Sequence, residues 1–220
     1  KQNRVMIKMN KYEVKQLSKV DRLKLVNSAT GYKSANLIGS VSKDGIENLA
    51  IFSSVTHLGS DPALLGFIMR PATVPRDTYK NIKETEYFTV NHITKNLIQR
   101  AHQTSASYDD TVSEFNETQI EPEYLNSIKQ PFVKESPVRL LCKYVNEYLI
   151  EENGCIHIIA SIEEIYFEEK LLNKDYWLQL EKGNIVAING LDGYCLPKLI
   201  DRFEYARPNI MVKSMLNNGS

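Results

Sequence analysis

Two long runs dominate the second half of the chain, VRLLCKYVNEYLI from Val138 to Ile150 and CIHIIASIEEIYF from Cys155 to Phe167, separated only by EENG. In the second run Ile156, Ile158, Ala160 and Ile162 alternate with His157, Ser161 and Glu163, a period of two that sorts side chains onto opposite faces of a sheet. The pair is expected to be a long β-hairpin. Any fold for this chain must accommodate it.

The first half reads in the same way. From Lys33 to Thr56 two apolar β-type runs flank SKDGIEN, where Asp44-Gly45 is a strong turn signal, so a second hairpin is expected. ALLGFIM at Ala63 to Met69, introduced by Asp61-Pro62, is too short for a typical helix and reads as a buried strand; YFTVNHI at Tyr87 to Ile93 reads as another. Two short helices are expected between and after these strands. RDTYKNIKET begins after Pro75, which suits a first helical position, and carries Tyr79 and Ile82 on one side; KNLIQRAHQ spans Lys95 to Gln103. Weaker strand signals appear at NIVAING and near FEYARP. Antiparallel hairpins with short helices imply a β-barrel or sandwich with small helical insertions.

A chain of 220 residues suits one large domain. Lys plus Arg and Asp plus Glu number 27 each, and this balance favours neither nucleic acid nor an anionic membrane. No apolar run approaches the roughly 18 residues a membrane helix requires, and the charged opening, KQNRVMIKMNKYEVKQL, does not resemble a signal peptide. A soluble cytoplasmic protein is expected. Cys142, Cys155 and Cys195 are widely spaced and odd in number, which suggests buried free thiols. His57, His92, His102 and His157 show no ligand spacing, so no metal site is expected.

RPATVPRDTYKNI, residues 70 to 82, carries the most chemistry. A loop that leaves a buried strand and enters a helix N-terminus offers free backbone N–H groups and the positive end of the helix dipole. Arg70 and Arg76 add permanent charge, and Thr73 and Thr78 add hydroxyls. Donors converging from several directions suit a phosphate; solvated arginines with helix-capping threonines are the plainer alternative. Upstream, Asn48, Ser53, Ser54 and Thr56 stand on or just after the second strand of the hairpin, where small residues let backbone approach a flat ring.

NLAIFSSVTHLGSDPALLGFIMRP, RDTYKNIKETEYFTVNHI, AHQTSASYDDTVSEF, PFVKESPVRL and GLDGY…FEYARP together resemble the flavin reductase-like proteins with an FMN-binding split barrel, from about Ser34 to about Pro208. The resemblance implies a mainly β fold, a six-stranded antiparallel split β-barrel of Greek-key type with short helical insertions. It also implies a homodimer with FMN near the subunit interface. It divides the chain into an N-terminal extension packing on the barrel (1–32), the flavin reductase-like domain (33–210) and a C-terminal tail (211–220). By resemblance, Ser53, Ser54, Val55 and Thr56 meet the ring and ribityl chain, with Asn48 on the same strand end. Arg70, Thr73, Arg76, Asp77 and Thr78 meet the phosphate side. Asn91 is a candidate for the polar part of the flavin, and His102, Thr104 and Ser105 belong to a further segment near the cofactor.

The activity implied is an NAD(P)H-dependent flavin oxidoreductase, with NADH or NADPH as reductant and an electron-accepting partner left open. Hydride transfer between stacked rings needs placement rather than a dedicated base, and no catalytic residue is assigned. His102 is a weak candidate acid, a hydrogen-bonding role being the alternative. Glu114 and Phe115 could cap the site or lie at a dimer seam, and Tyr205 and Arg207 could close over it or anchor the chain. A non-catalytic FMN carrier and a flavin-free scaffold are the rival readings.

Overall fold

The structure, a computed structural model, describes residues 5–71, 73 and 76–216. Ala72, Val74 and Pro75 fall outside the described residues, and with them the expected helix start at Pro75. Helices α1 (Lys11–Gln16) and α2 (Lys19–Ala29) precede strands β1 (Lys33–Ser34), β2 (Asn36–Val41), β3 (Glu47–Phe52), β4 (Thr56–Ser60) and β5 (Ala63–Met69). Helix α3 (Asp77–Thr85) leads into β6 (Tyr87–His92), and α4 (Ile98–Gln103) and α5 (Glu114–Thr118) follow. The pair β7 (Pro122–Glu123) and β8 (Phe132–Val133) precedes the long strands β9 (Val138–Ile150) and β10 (Cys155–Phe167), and β11 (Ala187–Asn189) and β12 (Gly193–Cys195) come last.

Seven strands form one antiparallel sheet in the order β3-β2-β6-β9-β10-β5-β4. Its two ends, β3 and β4, are joined by only Ser53, Ser54 and Val55. Three residues span about 10 Å, so the two edges must come together, and the sheet curls into a split barrel with that linker at the seam. Ser54 fastens the seam, its hydroxyl accepting from the Ile68 N–H at 3.0 Å, while the Ser34 hydroxyl donates to the Val55 carbonyl at 2.7 Å. The expectation of a mainly β split barrel holds. The seventh strand is β4, a polar, largely exposed segment.

The period of two is visible in the packing. Ile38, Leu65, Phe67, Phe88, Val90, Cys142, Ile158 and Ala160 fill the barrel, and Phe67 meets both Phe52 and Phe88 edge to face. The alternate residues of β2 and β3, Leu37 and Leu49, face outward into a second cluster with Ile93, Leu97, Ala101, Phe115 and Val186. Helices α4 and α5 therefore cover the outer face of β3. Gly39 marks a close crossing: a Cβ there would lie 2.3 Å from the Pro131 carbonyl oxygen and 2.6 Å from Thr89 Oγ1. No helix among the described residues is long and apolar enough to cross a membrane.

Several local expectations need correction. Helix α4 starts at Ile98 rather than Lys95, because Thr94–Leu97 closes a turn in which the Leu97 N–H donates to the Thr94 carbonyl. Near FEYARP only isolated bridges form, Phe203 with Ser214 and Arg207 with Ile210. All three cysteines are free, but only Cys142 is buried. Neither N-terminal helix has a buried residue.

Candidate functional site

Beside the barrel seam lies a cleft of about 620 Å³, within the range typical of small-molecule sites. One wall is the end of β3 with its linker, Ala50 to Ser54; the end of β5, Ile68 to Arg70, lies next to it. Arg76, Asp77 and Thr78 at the start of α3, Thr104 to Asp110, and Glu114 complete the lining.

The arginine end is built by α3. This nine-residue helix buries Thr78, Asn81 and Ile82 and stops where Glu86 turns left-handed at φ 64°. Its side chains are knotted into the β2–β3 hairpin: Asn48 Nδ2 donates to Thr78 Oγ1 at 2.8 Å, and Asn81 Nδ2 donates to Ser40 Oγ at 3.1 Å. Because the Thr78 oxygen accepts from Asn48, its hydroxyl hydrogen remains for another acceptor. Arg76 occupies the N-cap position, and no side chain caps the helix. The first N–H groups of a helix have no intrahelical acceptor, so those of α3 are left without a side-chain cap where Arg76, Asp77 and Thr78 line the cleft.

Neither Arg70 nor Arg76 forms an ion pair with a carboxylate among the described residues. Arg76 Nε is buried and has no hydrogen-bond partner among the described residues. A buried guanidinium N–H without an acceptor is costly, and an anion at the uncapped end of α3 would satisfy it. Arg70 is exposed at the mouth.

The lining also carries carboxylates. Glu114 accepts the Leu49 N–H at 2.9 Å, and burial, followed by the nearby Asp77, raises its pKa above the ordinary carboxylate value. Asp109 accepts from the Thr111 N–H and hydroxyl, which hold its carboxyl below its usual value. The cleft thus carries both cationic donors and carboxylate acceptors. Such a pocket suits a ligand that combines an anionic group with hydroxyl donors. Phe52, braced edge-on by Phe67 at 5.3 Å between ring centroids, adds an apolar wall.

Of the residues singled out in the sequence, Asn48, Ser53, Ser54, Arg70, Arg76, Asp77, Thr78, Thr104 and Ser105 come together around this cleft. Some have hydroxyls already engaged: Thr104 Oγ1 donates to the Ala101 carbonyl and Ser105 Oγ to the His102 carbonyl. Five stand elsewhere. Val55 packs its side chain against the barrel core, while Thr56 is exposed on β4 and Thr73 is exposed in a turn. Asn91 is fully buried, donating to the Leu37 carbonyl and Thr89 and accepting the Val133 N–H at 2.9 Å, so its amide has nothing left for a ligand. His102 lies outside the lining, with Nδ1 2.9 Å from the Tyr194 hydroxyl. Of the alternatives weighed for it, hydrogen bonding is the one the geometry displays.

Tyr108, Asp109 and Asp110 line the cleft without having been singled out. Their segment, AHQTSASYDDTVSEF, carries part of the family resemblance, but nothing in its composition says which side chains turn inward. Glu114 lines the cleft while Phe115 is packed in the core.

The flavin reductase like domain matches residues 30–182. A candidate flavin reductase with a split barrel domain from Shewanella frigidimarina NCIMB 400 is 39% identical, superposes with a TM-score of 0.88, and covers 91% of this chain and 100% of its own. Nitrilotriacetate monooxygenase component B from Bacillus cereus shares the fold at 22% identity with a TM-score of 0.76, covering 92% of this chain and 100% of its own. The uncharacterised protein YwrF of Bacillus subtilis (strain 168) is 26% identical over 208 residues, 90% of this chain and 98% of that protein. The barrel, the cleft at its seam and a domain match over most of the chain converge: the protein belongs to the flavin reductase like family.

Proposed function

We propose that the protein is an FMN-binding oxidoreductase that takes a hydride from NADH or NADPH and passes the electrons to an acceptor. The observation that carries this reading is the arginine end of the cleft, where a buried, unpartnered Arg76 Nε meets an uncapped helix N-terminus. These residues fit the phosphate of FMN. Arg76 and Arg70 would grip its oxygens, the N–H groups of the first turn of α3 would donate to it, and Thr78 would add its hydroxyl. Asp109, Asp110 and Glu114 would accept from ribityl hydroxyls, and the β3–β4 linker with Phe52 would bound the ring.

FMN, once bound, supplies the redox chemistry, accepting a hydride and releasing electrons. The chain's part is to hold and screen. Ser53 to Val55 lie between strands at the barrel seam, so backbone donors outside the ladders could face the ring and stabilise negative charge there. Burial and the adjacent Asp77 raise the Glu114 pKa, but its bond to the Leu49 N–H gives it a positioning role, with no proton movement required. We further read the protein as a cytoplasmic homodimer with FMN near the subunit contact.

The test is an absorption spectrum of the purified protein with FMN, recorded anaerobically before and after NADH and then NADPH. Flavin bands that bleach on adding a nicotinamide are expected. Bands that persist would favour an electron carrier with a different reductant. Absence of any perturbed flavin spectrum after adding FMN would sink the assignment.

A further inference from the structure

Helix α3 is tied to the barrel at two places. Thr78 and Asn81 bind it to the β2–β3 hairpin. The other tie is to β9, where the Tyr79 hydroxyl donates to Glu147 Oε1 at 2.9 Å. One turn further on, Lys83 Nζ donates to the Tyr144 hydroxyl at 2.8 Å and stands 4.2 Å from the centroid of that ring.

Glu147 occupies a position where a carboxylate is not expected. Register sets Cys142 opposite Ile162, Tyr144 opposite Ala160, Glu147 opposite Ile158 and Leu149 opposite Ile156. These four residues of β10 pack in or against the barrel core, and directly opposed residues share a face. Glu147 therefore stands on the core face, across from the fully buried Ile158. Strict alternation from Tyr144 would have put it on the outer face. A bulge reverses the order: Ile159 is opposite Asn146 but Ala160 is opposite Tyr144, so Val145 is an extra residue in β9. A slip of one residue turns the side chains that follow to the other face.

A charged group on an apolar face is costly unless it is paired. Glu147 Oε2 is buried without a hydrogen bond among the described residues and lies 3.4 Å from Lys83 Nζ. Burial, and then the Glu147 carboxylate, raise the pKa of Tyr79, so its hydroxyl keeps the proton it donates. Among the described residues, both side-chain partners of Glu147 come from α3. The bulge and the carboxylate thus serve the helix rather than the sheet. Tyr79 lies three residues after Arg76, in the turn closed by the Lys80 N–H donating to the Arg76 carbonyl at 2.9 Å. Ties to the hairpin alone would leave α3 able to roll about its axis, and the tie to β9 removes that freedom. A binding constellation has to be held to within about 0.5 Å to grip its ligand.

We propose that Glu147 is a positioning residue for the anion site at the start of α3: brought to the core face by the bulge in β9, it holds Tyr79 and so sets where Arg76 and the first N–H groups of the helix stand. The consequence for flavin rests on the reading proposed above; the clamp on α3 does not.

The experiment compares three variants of the full chain, each checked for folding by circular dichroism. Tyr79→Phe keeps the ring and removes the hydroxyl, Glu147→Ala removes the acceptor, and Glu147→Gln retains an oxygen that accepts from Tyr79. In the flavin-free protein, hydrogen exchange of the α3 amides from Lys80 onward should quicken about fivefold or more in Tyr79→Phe and Glu147→Ala, and stay near the parent rate in Glu147→Gln. Unchanged exchange in the first two, or Glu147→Gln exchanging as fast as Glu147→Ala, overturns the clamp; where Glu147→Ala fails to fold, Tyr79→Phe decides. Titration with FMN and with riboflavin reads the consequence. Tyr79→Phe and Glu147→Ala should lose about fivefold or more in FMN affinity while riboflavin affinity holds. FMN affinity that is unchanged, or equal losses for both ligands, overturns the positioning role. A parent chain that binds FMN no better than riboflavin sinks the phosphate reading instead, and the exchange rates still decide the clamp.

Discussion

Arg76 combines permanent charge, a buried Nε without an acceptor and a position at the uncapped start of α3. Arg76→Ala should weaken FMN binding by about 1.5–3 kcal/mol, the usual worth of a charge-assisted bond, while barely changing riboflavin binding; equal losses for both ligands would argue against a phosphate contact. Asn91 makes the opposite case. Asn91→Ala strips partners from the buried Val133 N–H and Leu37 carbonyl, and should cost about 1–3 kcal/mol in urea unfolding, with FMN affinity of the folded protein unchanged. The sequence could not separate these two, because a polar residue near a strand end looks alike whether it faces a ligand or closes an internal knot. The arginines were legible since nothing in a barrel core calls for them. His92 sets a pH dependence: burial pushes its pKa down to about 4 from 6.5. The unfolded chain takes up this proton as pH falls through about 6.5, but the native protein does so only near 4. Stability is therefore complete above about 6.5 and is lost as pH falls toward 4, by up to about 3 kcal/mol. Urea curves at pH 7.5 and 4.5 should show a smaller loss for His92→Gln than for the parent chain.

Among the elements, β9 and β10 coincide with the two long runs of the second half of the chain, and β5 with ALLGFIM, because strands buried on at least one face announce themselves by composition. Strand β4 does not. THLGS is short, polar and at the sheet edge, paired only with β5, so no burial pattern marks it. The N-terminal helices were missed for a different reason, since with no buried face they leave no apolar period. Their signal was capping: Asn10 and Glu13 form a capping box, and Ser18 accepts the Asp21 N–H. Gly39 links β2 to β8 and β6 at a distance only glycine permits. Gly39→Ala should push β2 away from Pro131 and Thr89 and destabilise the barrel by about 1–3 kcal/mol, read as a lower urea midpoint; an unchanged midpoint would mean the crossing is looser than its geometry implies.

For the whole molecule, the three-residue link between β3 and β4 couples fold to site: closing the barrel at that seam forms one wall of the cleft, and the anchoring of α3 by Asn48 and Asn81 forms its cationic end. A ligand held across these parts should stabilise the native state by mass action, and a dimer should unfold at a temperature that rises with protein concentration. A melting temperature constant over a hundredfold range of concentration would contradict the dimer. The most direct test of the central claim is a fluorescence titration of the purified chain with FMN and, separately, with riboflavin. The cleft described here predicts one FMN per chain, bound more tightly than riboflavin by at least about 1.5 kcal/mol. Equal affinity for the two, or no binding of either, would contradict it.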